Sequence, residues 1–523
     1  MGESVNKTYR PWNPQDYALL TFSPVQRLPQ GDLVFFLIDA IPLLDLSPFY
    51  HSYEQETRGA PPFDPAMMVT LLVYAYCVGV YSSRKIARAC ERNFAFLAIV
   101  GDKRPDFRTI SDFRKEHLGA FADLFEKVLA LAAESGMIGL GNIAFDGSKF
   151  KADASRHKAM SYGYMQKEKA RLQAEIAALL RQADGTDTEE DAAEGSQRGD
   201  ELPEELQRRE QRLATITGAM ARLEAQAKAD AEAERQCRAE AEAQRQRTNT
   251  KRRGKEPGPI REVPEDKAQL SFTDPEAKMM PQSNKGWDYA GNAQVSVDEK
   301  HQLILAAFVT PAANDVQQAV PLAQATRENL AVAGVALPVD KDGAARKIPI
   351  TADTGYFSAE AVKGVEEAGF DPYRATKRDK HNQPQPTTPS VAQTPPPPAS
   401  QALPTVAAVA AMLAVVVAGA SEASESQGSP AEAERSKATA AEAKSAATAK
   451  ERMATKVGTA AGQKLYSRRK VIVEPVFGQI KGARGFRHFS LRGLEKMNGE
   501  WQLVCLTHNL LKIWRYRCAP GMN

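Results

Sequence analysis

The chain has 523 residues, of which 43% are hydrophobic and 25% are charged. This length and composition are typical of a globular protein with about two to four structural units. A net charge of only +3 excludes a histone-like polycation, and five scattered Cys residues exclude a disulfide scaffold or a Cys-rich zinc module. The N-terminal stretch lacks the apolar core of a secretory signal, so we expect a cytoplasmic protein.

Residues 1–136 carry the patterns of an all-helical domain. Asp64 and Pro65 predict the start of one helix, because Asp caps helices and Pro suits the first turn. The segment Thr109–Asp112 is typical of a capping box, which predicts the start of a long helix that ends near Gly136.

Lys and Arg residues recur at helical spacing between these two predicted helices and just after them. Two short helices with a basic second element are typical of a DNA-binding helix-turn-helix, although basic helix faces are also common on proteins that bind no DNA. The residues of this region that we predict to contact DNA are Arg84, Lys85, Arg88, Arg92, Arg108 and Arg114.

Residues 137–154 change to strand periodicity, and we expect a buried strand that ends at Asp146 and a turn at Gly147. Residues 155–285 are mostly Ala, Glu, Arg, Gln and Lys with short apolar stripes. They predict a helical hairpin, partly coiled coil, inserted after that strand. Plain disorder is the alternative for residues 228–265.

Residues 286–374 return to α/β patterning, with two strands joined by a turn, then a helix, then a short buried strand that ends at Asp353. Residues 375–460 have the Pro/Ala-rich composition of an insertion or linker. Their apolar run 405–420 is shorter than the roughly 20 residues of a membrane-spanning helix, so we favour an ordinary helix over an anchor. Residues 461–523 are densely patterned again and predict C-terminal helices.

Three carboxylates stand out by their context. Asp146 and Asp353 each close a predicted strand, and Glu474 lies near the start of a predicted helix. Metal-binding carboxylates converge at such strand ends, and three of them suit a hard cation such as Mg²⁺. Each Asp alone is more often a turn or cap residue, so the prediction depends on the set. Asn314 and Asp315 follow another strand, and we expect them behind the site at most.

The C-terminal region is strongly basic. From Tyr466 onward there are 11 Lys or Arg residues and 3 Asp or Glu residues, a net charge of +8. Clusters of this kind bind phosphate backbones, although a solvated basic helix face is the alternative. The residues of this region that we predict to contact DNA are Tyr466, Arg469, Lys470, Lys481, Arg484 and Arg487.

Five segments together resemble bacterial insertion-sequence transposases of the DDE class. The resemblance implies an all-helical N-terminal DNA-binding domain and an RNase H-like catalytic domain with a mixed sheet, interrupted here by the helical hairpin and the low-complexity insertion. In chain order the segments are PPFDPAMMVTLLVYAYCVGVYSSRKIARACERN, PDFRTISDFRKEH, IAFDGSKFKA, ITADTGYF and YSRRKVIVEPVFGQIKGARGFRHFSLRGLEKMNGEWQLVCLTHNLLKI.

The resemblance also implies roles for the three carboxylates. In the family, one Asp ends the first strand, a second ends the fourth strand, and a Glu lies on a following helix. These positions correspond to Asp146, Asp353 and Glu474, which would be both the catalytic residues and the metal ligands.

Many relatives carry a Tyr–Arg–Glu–Lys signature around the catalytic glutamate. Glu474 and Lys481 match its spacing. Tyr466 and Arg469 are present but lie one residue further from the glutamate than usual, so Lys470 is an alternative to Arg469 as the phosphate contact.

The function implied is a DNA transposase. Two Mg²⁺ ions, for which Mn²⁺ can substitute, would support cleavage at the ends of the element and strand transfer into target DNA. The expected partners are double-stranded DNA, as terminal inverted repeats and target, and a second copy of the chain on paired ends; no membrane partner is expected. The alternatives are a catalytically inactive DNA-binding relative, an RNase H-like nuclease without strand transfer, and a coiled-coil assembly protein.

Overall fold

A computed structural model describes residues 24–53, 61–101, 103–194, 204–248, 257–282, 286–339, 346–356, 358–374 and 449–518. The apolar run 405–420 and most of the expected insertion at 375–460 lie outside the described residues. Among the residues that are described, no helix is both long enough and apolar enough to cross a membrane.

Helices make up the described part of the chain before the sheet. Asp64 accepts a hydrogen bond from the Ala66 amide at 2.7 Å, which confirms the predicted cap of the third of them. These helices are α1 (Leu33–Ala40), α2 (Ser47–Tyr50), α3 (Pro65–Cys77), α4 (Ser83–Arg92), α5 (Phe94–Val100), α6 (Phe107–Glu116) and α7 (Leu118–Glu134).

The single long helix that we predicted after Thr109 is two helices. Asp106, not Thr109, is the cap of α6, and its carboxylate accepts hydrogen bonds from the Arg108 and Thr109 amides at 2.6 and 3.0 Å. The helices are separated at His117, which is buried and stacked on Phe113 at 4.3 Å. Packing of this ring against the core therefore divides a segment whose periodicity is continuous.

The strands form one six-stranded sheet and one two-stranded sheet. In the large sheet the order is β6–β5–β1–β7–β8, and β4 pairs with the same edge of β5 as β6 does. Strands β1, β7 and β8 are parallel, whereas β5 is antiparallel to β1, β4 and β6. The strands are β1 (Ile143–Lys151), β2 (Ala159–Ser161), β3 (Gln269–Ser271), β4 (Lys278–Pro281), β5 (Trp287–Asp298), β6 (Ile304–Thr310), β7 (Ile348–Ala352) and β8 (Phe370–Arg374).

Strand β1 is longer than its sequence predicted. Pairing with β7 stops where Phe145 lies opposite Ala352, but pairing with β5 continues to Lys151. The expected end at Asp146 and the turn after it are therefore corrected: both positions are within the strand, because β5 supplies backbone partners beyond the end of β7.

The remaining helices lie after β1. Helices α8 and α9 pack together through Leu172 and Ile216, which is the predicted hairpin, and α9 continues to Thr248 into the segment where disorder was the alternative. The helices after β1 are α8 (Tyr162–Glu194), α9 (Glu204–Thr248), α10 (Ala319–Val332), α11 (Ala359–Glu367), α12 (Ala449–Gly458), α13 (Ala460–Ser467), α14 (Arg469–Gly478) and α15 (Leu494–Arg517).

The sheet separates two apolar cores. Alternate residues of β1 point to opposite faces, so Ala144 and Phe150 join a core with α3, α7 and α15, whereas Ile143 and Phe145 join a core with α10 and α11. Trp501 of α15 packs on Phe150 with ring centroids 5.0 Å apart. The architecture thus combines helical layers with a mixed α/β sheet.

Candidate active site and nucleic-acid interface

Two aspartates are neighbours at the edge of the sheet where β7 ends. Because β1 and β7 are parallel and Phe145 pairs with Ala352, Asp146 and Asp353 follow at equivalent positions on adjacent strands. Adjacent strands lie about 4.8 Å apart. The Asp353 carboxylate accepts a hydrogen bond from the Thr354 amide at 2.6 Å, so the Asp353 side chain is held at the end of β7.

The Asp146 carboxyl is in an environment that disfavours its charge. Its pKa is raised to about 6, chiefly by burial; Arg469 and the Gly147 amide oppose the rise, and the nearby carboxylates of Asp353 and Asp315 add to it. The Gly147 amide donates a hydrogen bond to Asp146 Oδ1 at 2.9 Å. A bound cation would reverse this balance, since it compensates the like charges that raise the pKa.

Arg469 is the cationic side chain nearest to this carboxylate among the described residues. It lies at the start of α14, is mostly buried, and its Nη1 is 3.8 Å from Asp146 Oδ2. Of the two alternatives for the phosphate contact, Arg469 thus lies beside the aspartate pair, whereas Lys470 is exposed.

Glu474 lies on the same helix but is not grouped with the two aspartates. It is exposed, and in the described part of the chain no three His, Cys, Asp or Glu side chains are close enough together to hold a metal ion. Five residues separate Glu474 from Arg469, which is about 1.4 helical turns, so the two side chains leave the helix in different directions.

Lys481 connects the segment after α14 to β1. It lies in a short π-helical turn, and its Nζ donates to Ser148 Oγ at 2.6 Å and to the Lys149 carbonyl at 2.8 Å. Its Nζ also lies 4.3 Å from the centroid of the Phe150 ring. Burial lowers the pKa of Lys481 to about 8, and the Asp146 carboxylate opposes that shift. The predicted phosphate contact is therefore anchored within two residues of the aspartate.

The other predicted contacts of the C-terminal region differ in exposure. Tyr466 on α13 is half-buried, and Lys470 on α14 is exposed. Arg487 is exposed, and its Nε donates to the Lys481 carbonyl at 3.1 Å. These side chains lie on the elements that surround Arg469 and Lys481, so exposed positive charge adjoins the aspartate pair.

The basic residues of α4 and α6 form one surface. Helix α4 buries Ile86 and Cys90 and exposes its cations on the other side. Arg84 of α4 and Arg108 of α6 lie over the ring of Phe107, 4.8 and 5.7 Å from its centroid, which brings the two helices' charges together. The exposed members of this surface are Arg84, Lys85, Arg88, Arg92 and Arg108.

Two protein-family models match the chain. One is a transposase domain (DUF772), which matches residues 22–116, and the other is a transposase DDE domain, which matches residues 429–514. Together the two matches support an insertion-sequence DDE transposase. The second match contains Glu474, whereas Asp146 and Asp353 lie outside both. Neither a curated protein nor a solved structure matches the transposase.

Two arginines that we predicted to contact DNA face the interior of the transposase. Arg114 donates to the Tyr76 hydroxyl at 3.0 Å and to the Tyr81 carbonyl at 2.9 Å. Arg484 donates to the carbonyls of Tyr76 and Val504, both at 3.1 Å. Both guanidinium groups are buried. We therefore correct the sequence-based set of DNA contacts by leaving out Arg114 and Arg484, whose guanidinium groups are buried and donate to partners inside the protein.

Polar residues beside the site went unnoticed in the sequence. Asn292 and Gln294 of β5 are buried and donate hydrogen bonds to Asp315 Oδ1 at 2.8 and 2.7 Å. Gln294 Oε1 accepts a hydrogen bond from the hydroxyl of buried Tyr356. The available signal was the alternation of Asn and Gln with small and apolar residues in a strand that is buried from Tyr289 onward.

Proposed function

We propose that this transposase cleaves DNA at the ends of an insertion sequence and joins those ends to target DNA in Mg²⁺-dependent reactions. The observation that carries the proposal is the adjacency of Asp146 and Asp353 on β1 and β7, with Arg469 beside them, in a chain that matches a transposase DDE domain. Carboxylate oxygens are the ligands that Mg²⁺ prefers in proteins.

The strand order supports an RNase H-like catalytic core. Counting β1, β5, β6, β7 and β8 as first to fifth, the sheet runs third, second, first, fourth, fifth, and the second strand is antiparallel to both of its neighbours. The family resemblance expects the second aspartate at the end of the fourth strand. Asp353 directly follows β7, which is the fourth strand in this count.

The donor set fits a hard divalent cation. Within the described residues Asp146 has one ion pair, to Arg469 at 3.8 Å, and Asp353 has none, so the pair carries negative charge for which a cation is the natural partner. Asp146 and Asp353 would hold the ions, and we propose Glu474 as the third ligand. When bound, the two ions would activate water and stabilise charge on the attacking and leaving oxygens of the phosphodiester.

The basic side chains would bind and orient the DNA strand. Arg469 presents a planar guanidinium beside Asp146, which suits a bidentate contact with the phosphate to be cut. Lys470 and Arg487 are exposed nearby and would bind flanking phosphates, and Tyr466 would pack on a sugar or a base. Lys481 holds the adjoining turn to β1 and brings its charge toward the same phosphate.

Strand transfer follows from the product of cleavage. Hydrolysis leaves a 3′-hydroxyl on the element, and that hydroxyl attacks a phosphodiester of the target DNA. The new bond forms as the bond in the target breaks, so the exchange requires no covalent protein–DNA intermediate. Two element ends react together, which calls for two copies of the chain.

The surface formed by α4 and α6 is the proposed binding site for the terminal repeats. Its five exposed cations lie on two adjacent helices, and backbone phosphates are bound by such clusters with an affinity that falls with salt. Helix α4 would approach the major groove in the manner of a recognition helix.

The test is cleavage of a supercoiled plasmid that carries the DNA flanking the coding sequence on both sides. Cuts at the ends are expected with Mg²⁺ and not with Ca²⁺, and Asp353→Asn should reduce them to background. Asp39→Asn, which changes an exposed aspartate of α1, is the matched control and should cut like the parent.

The remaining outcomes separate the alternatives. A parent protein that binds the flanking DNA but never cuts it would establish a DNA-binding relative without catalysis. Cleavage without joined products in the presence of a second plasmid would favour a nuclease. Undiminished cleavage by Asp353→Asn would show that the aspartate pair is not the active site.

A further inference from the structure

The carboxylate of Asp315 is anchored to β5, the strand beside β1 in the sheet. Asp315 lies between β6 and α10, and its Oδ1 accepts hydrogen bonds from Asn292 Nδ2 at 2.8 Å and Gln294 Nε2 at 2.7 Å. Both donors are buried, and Asn292 Nδ2 also donates to the Ala312 carbonyl at 3.1 Å. The position of this oxygen is therefore set by β5.

Two glycines lie beside the same carboxylate, and at the first of them an added side chain would leave it no room. One is Gly147, directly after Asp146, where a Cβ would lie 2.8 Å from Asp315 Oδ1 and would overlap the Gln294 amide. The other is Gly355, two residues after Asp353, where a Cβ would lie 3.6 Å from Asp315 Oδ2.

Conformational freedom does not explain these glycines. Neither has a positive φ, so both backbones adopt conformations that are open to other residues. The reason for glycine at Gly147 is space, because the Asp315 carboxylate and the Gln294 amide fill the volume that a side chain there would need.

Asp315 thus lies against Gly147 and near Gly355, one in each segment that carries a proposed metal ligand. We infer that Asp315 is a positioning residue: its anchored carboxylate is a spacer that sets the separation of the segments bearing Asp146 and Asp353. This inference rests on the proposed function. Its physical reason is that a metal site tolerates displacements of only about 0.5 Å in its ligands, and Asp353 lies just beyond the last paired residue of β7, without the backbone support that Asp146 has within β1.

The test compares Mn²⁺ binding to the full chain and its variants, measured as loss of the free Mn²⁺ signal in electron paramagnetic resonance. Asp315→Ala removes the spacer, and its Kd for Mn²⁺ should rise about tenfold or more. Asp315→Asn keeps the size and one acceptor oxygen for the two amides, so its Kd should stay within about threefold of the parent value. Asp39→Ala is the control and should bind like the parent.

Two results would overturn the inference. Equal weakening by Asp315→Asn and Asp315→Ala would mean that the charge matters, which makes Asp315 a metal ligand rather than a spacer. Parent-like binding by Asp315→Ala would mean that the strand ends keep their separation without it. If the circular dichroism spectrum shows that Asp315→Ala does not fold, Asp315→Ser, which retains a hydroxyl acceptor but not the reach, takes its place.

Failure of the proposed function has a different signature. If the parent binds no Mn²⁺, or if its binding survives Asp353→Asn, the proposed metal site is wrong. The positioning role of Asp315, which depends on that site, is then wrong as well. If the parent binds Mn²⁺ strongly, and this binding is lost in Asp353→Asn but unaffected by Asp315→Ala, only the positioning role of Asp315 is contradicted.

Discussion

Burial separates residues that have the same chemistry in the sequence. Arg108 and Arg487 are exposed and remain proposed DNA contacts, whereas Arg114 and Arg484 are buried and donate to backbone carbonyls. All four occur in basic stretches, and charge pattern alone does not distinguish them. The difference arises from packing between distant segments. Tyr76 of α3 contacts both buried arginines: Arg114 lies on another helix, and Arg484 lies 408 positions further along the chain.

His508 is a packed histidine of the protein core. It lies within α15, fully enclosed, and its Nε2 is 3.0 Å from the Gln302 carbonyl, to which the neutral ring donates. Burial lowers the pKa of His508 to about 3. The ring therefore stays neutral in the folded protein at a pH where an unfolded chain would protonate it.

We expect His508 to make folding stability fall at mildly acidic pH. Below the unfolded pKa of about 6.5 the unfolded chain binds a proton that the folded protein excludes, so the free energy of unfolding decreases. Between about pH 7.5 and pH 5 the loss should be roughly 2 kcal/mol. Urea unfolding at both pH values measures the decrease in the free energy of unfolding. In His508→Gln this decrease should be smaller by that amount, and in the exposed control His157→Gln it should equal that of the parent. An unchanged drop in His508→Gln would contradict the assignment.

Elements were predicted well where the signal is local. The cap at Asp64 and the hairpin between β5 and β6 both depend on residues within a few positions of one another. The two errors concern long-range contacts. Pairing with β5 lengthens β1 beyond Asp146, and His117, whose ring stacks on the distant Phe49, lies where the helix expected after Thr109 is divided.

Close approach of two helices depends on Gly499. It lies inside α15, where a Cβ would be 2.7 Å from Leu118 Cβ of α7. Gly499→Ala should therefore destabilise the protein by about 1–3 kcal/mol through overpacking. Gly218→Ala in α9 is the matched control: nothing lies near its Cβ, so better helix propensity should stabilise by about 0.5–1 kcal/mol. Thermal unfolding of both variants measures these changes, and a raised Tm for Gly499→Ala would contradict the close packing.

At the scale of the whole molecule, the two ends of the described chain share one core. Tyr76 of α3 donates to Glu500 of α15 at 2.9 Å, and Arg114 of α6 donates to the Tyr76 hydroxyl at 3.0 Å. All three residues are buried. The N-terminal helices thus pack directly on the C-terminal helix that also covers the sheet, and this contact couples the two ends of the described chain.

Glu500→Gln tests this coupling. The substitution leaves the buried Arg114 without its compensating charge, and removal of one partner from such a network costs about 3–5 kcal/mol. We expect that loss in the free energy of unfolding, with the N-terminal helices and α15 losing hydrogen-exchange protection together. Exposed Glu116→Gln is the control and should change stability by less than about 0.5 kcal/mol. Loss of protection confined to α15 would show that the two ends fold independently.

The sequence by itself determined the kind and order of most elements, the family resemblance, and the choice of Asp146 and Asp353 as candidates. It could do so because caps, periodicity and motifs depend on residues within short stretches of the chain. Only the tertiary structure decided which side chains share a site. Ile143 and Thr351 are 208 positions apart, yet their strands are neighbours and bring Asp146 beside Asp353. Strand pairing and burial join residues through space, so the partners of Arg469, Arg484 and Asp315 followed from packing rather than from spacing.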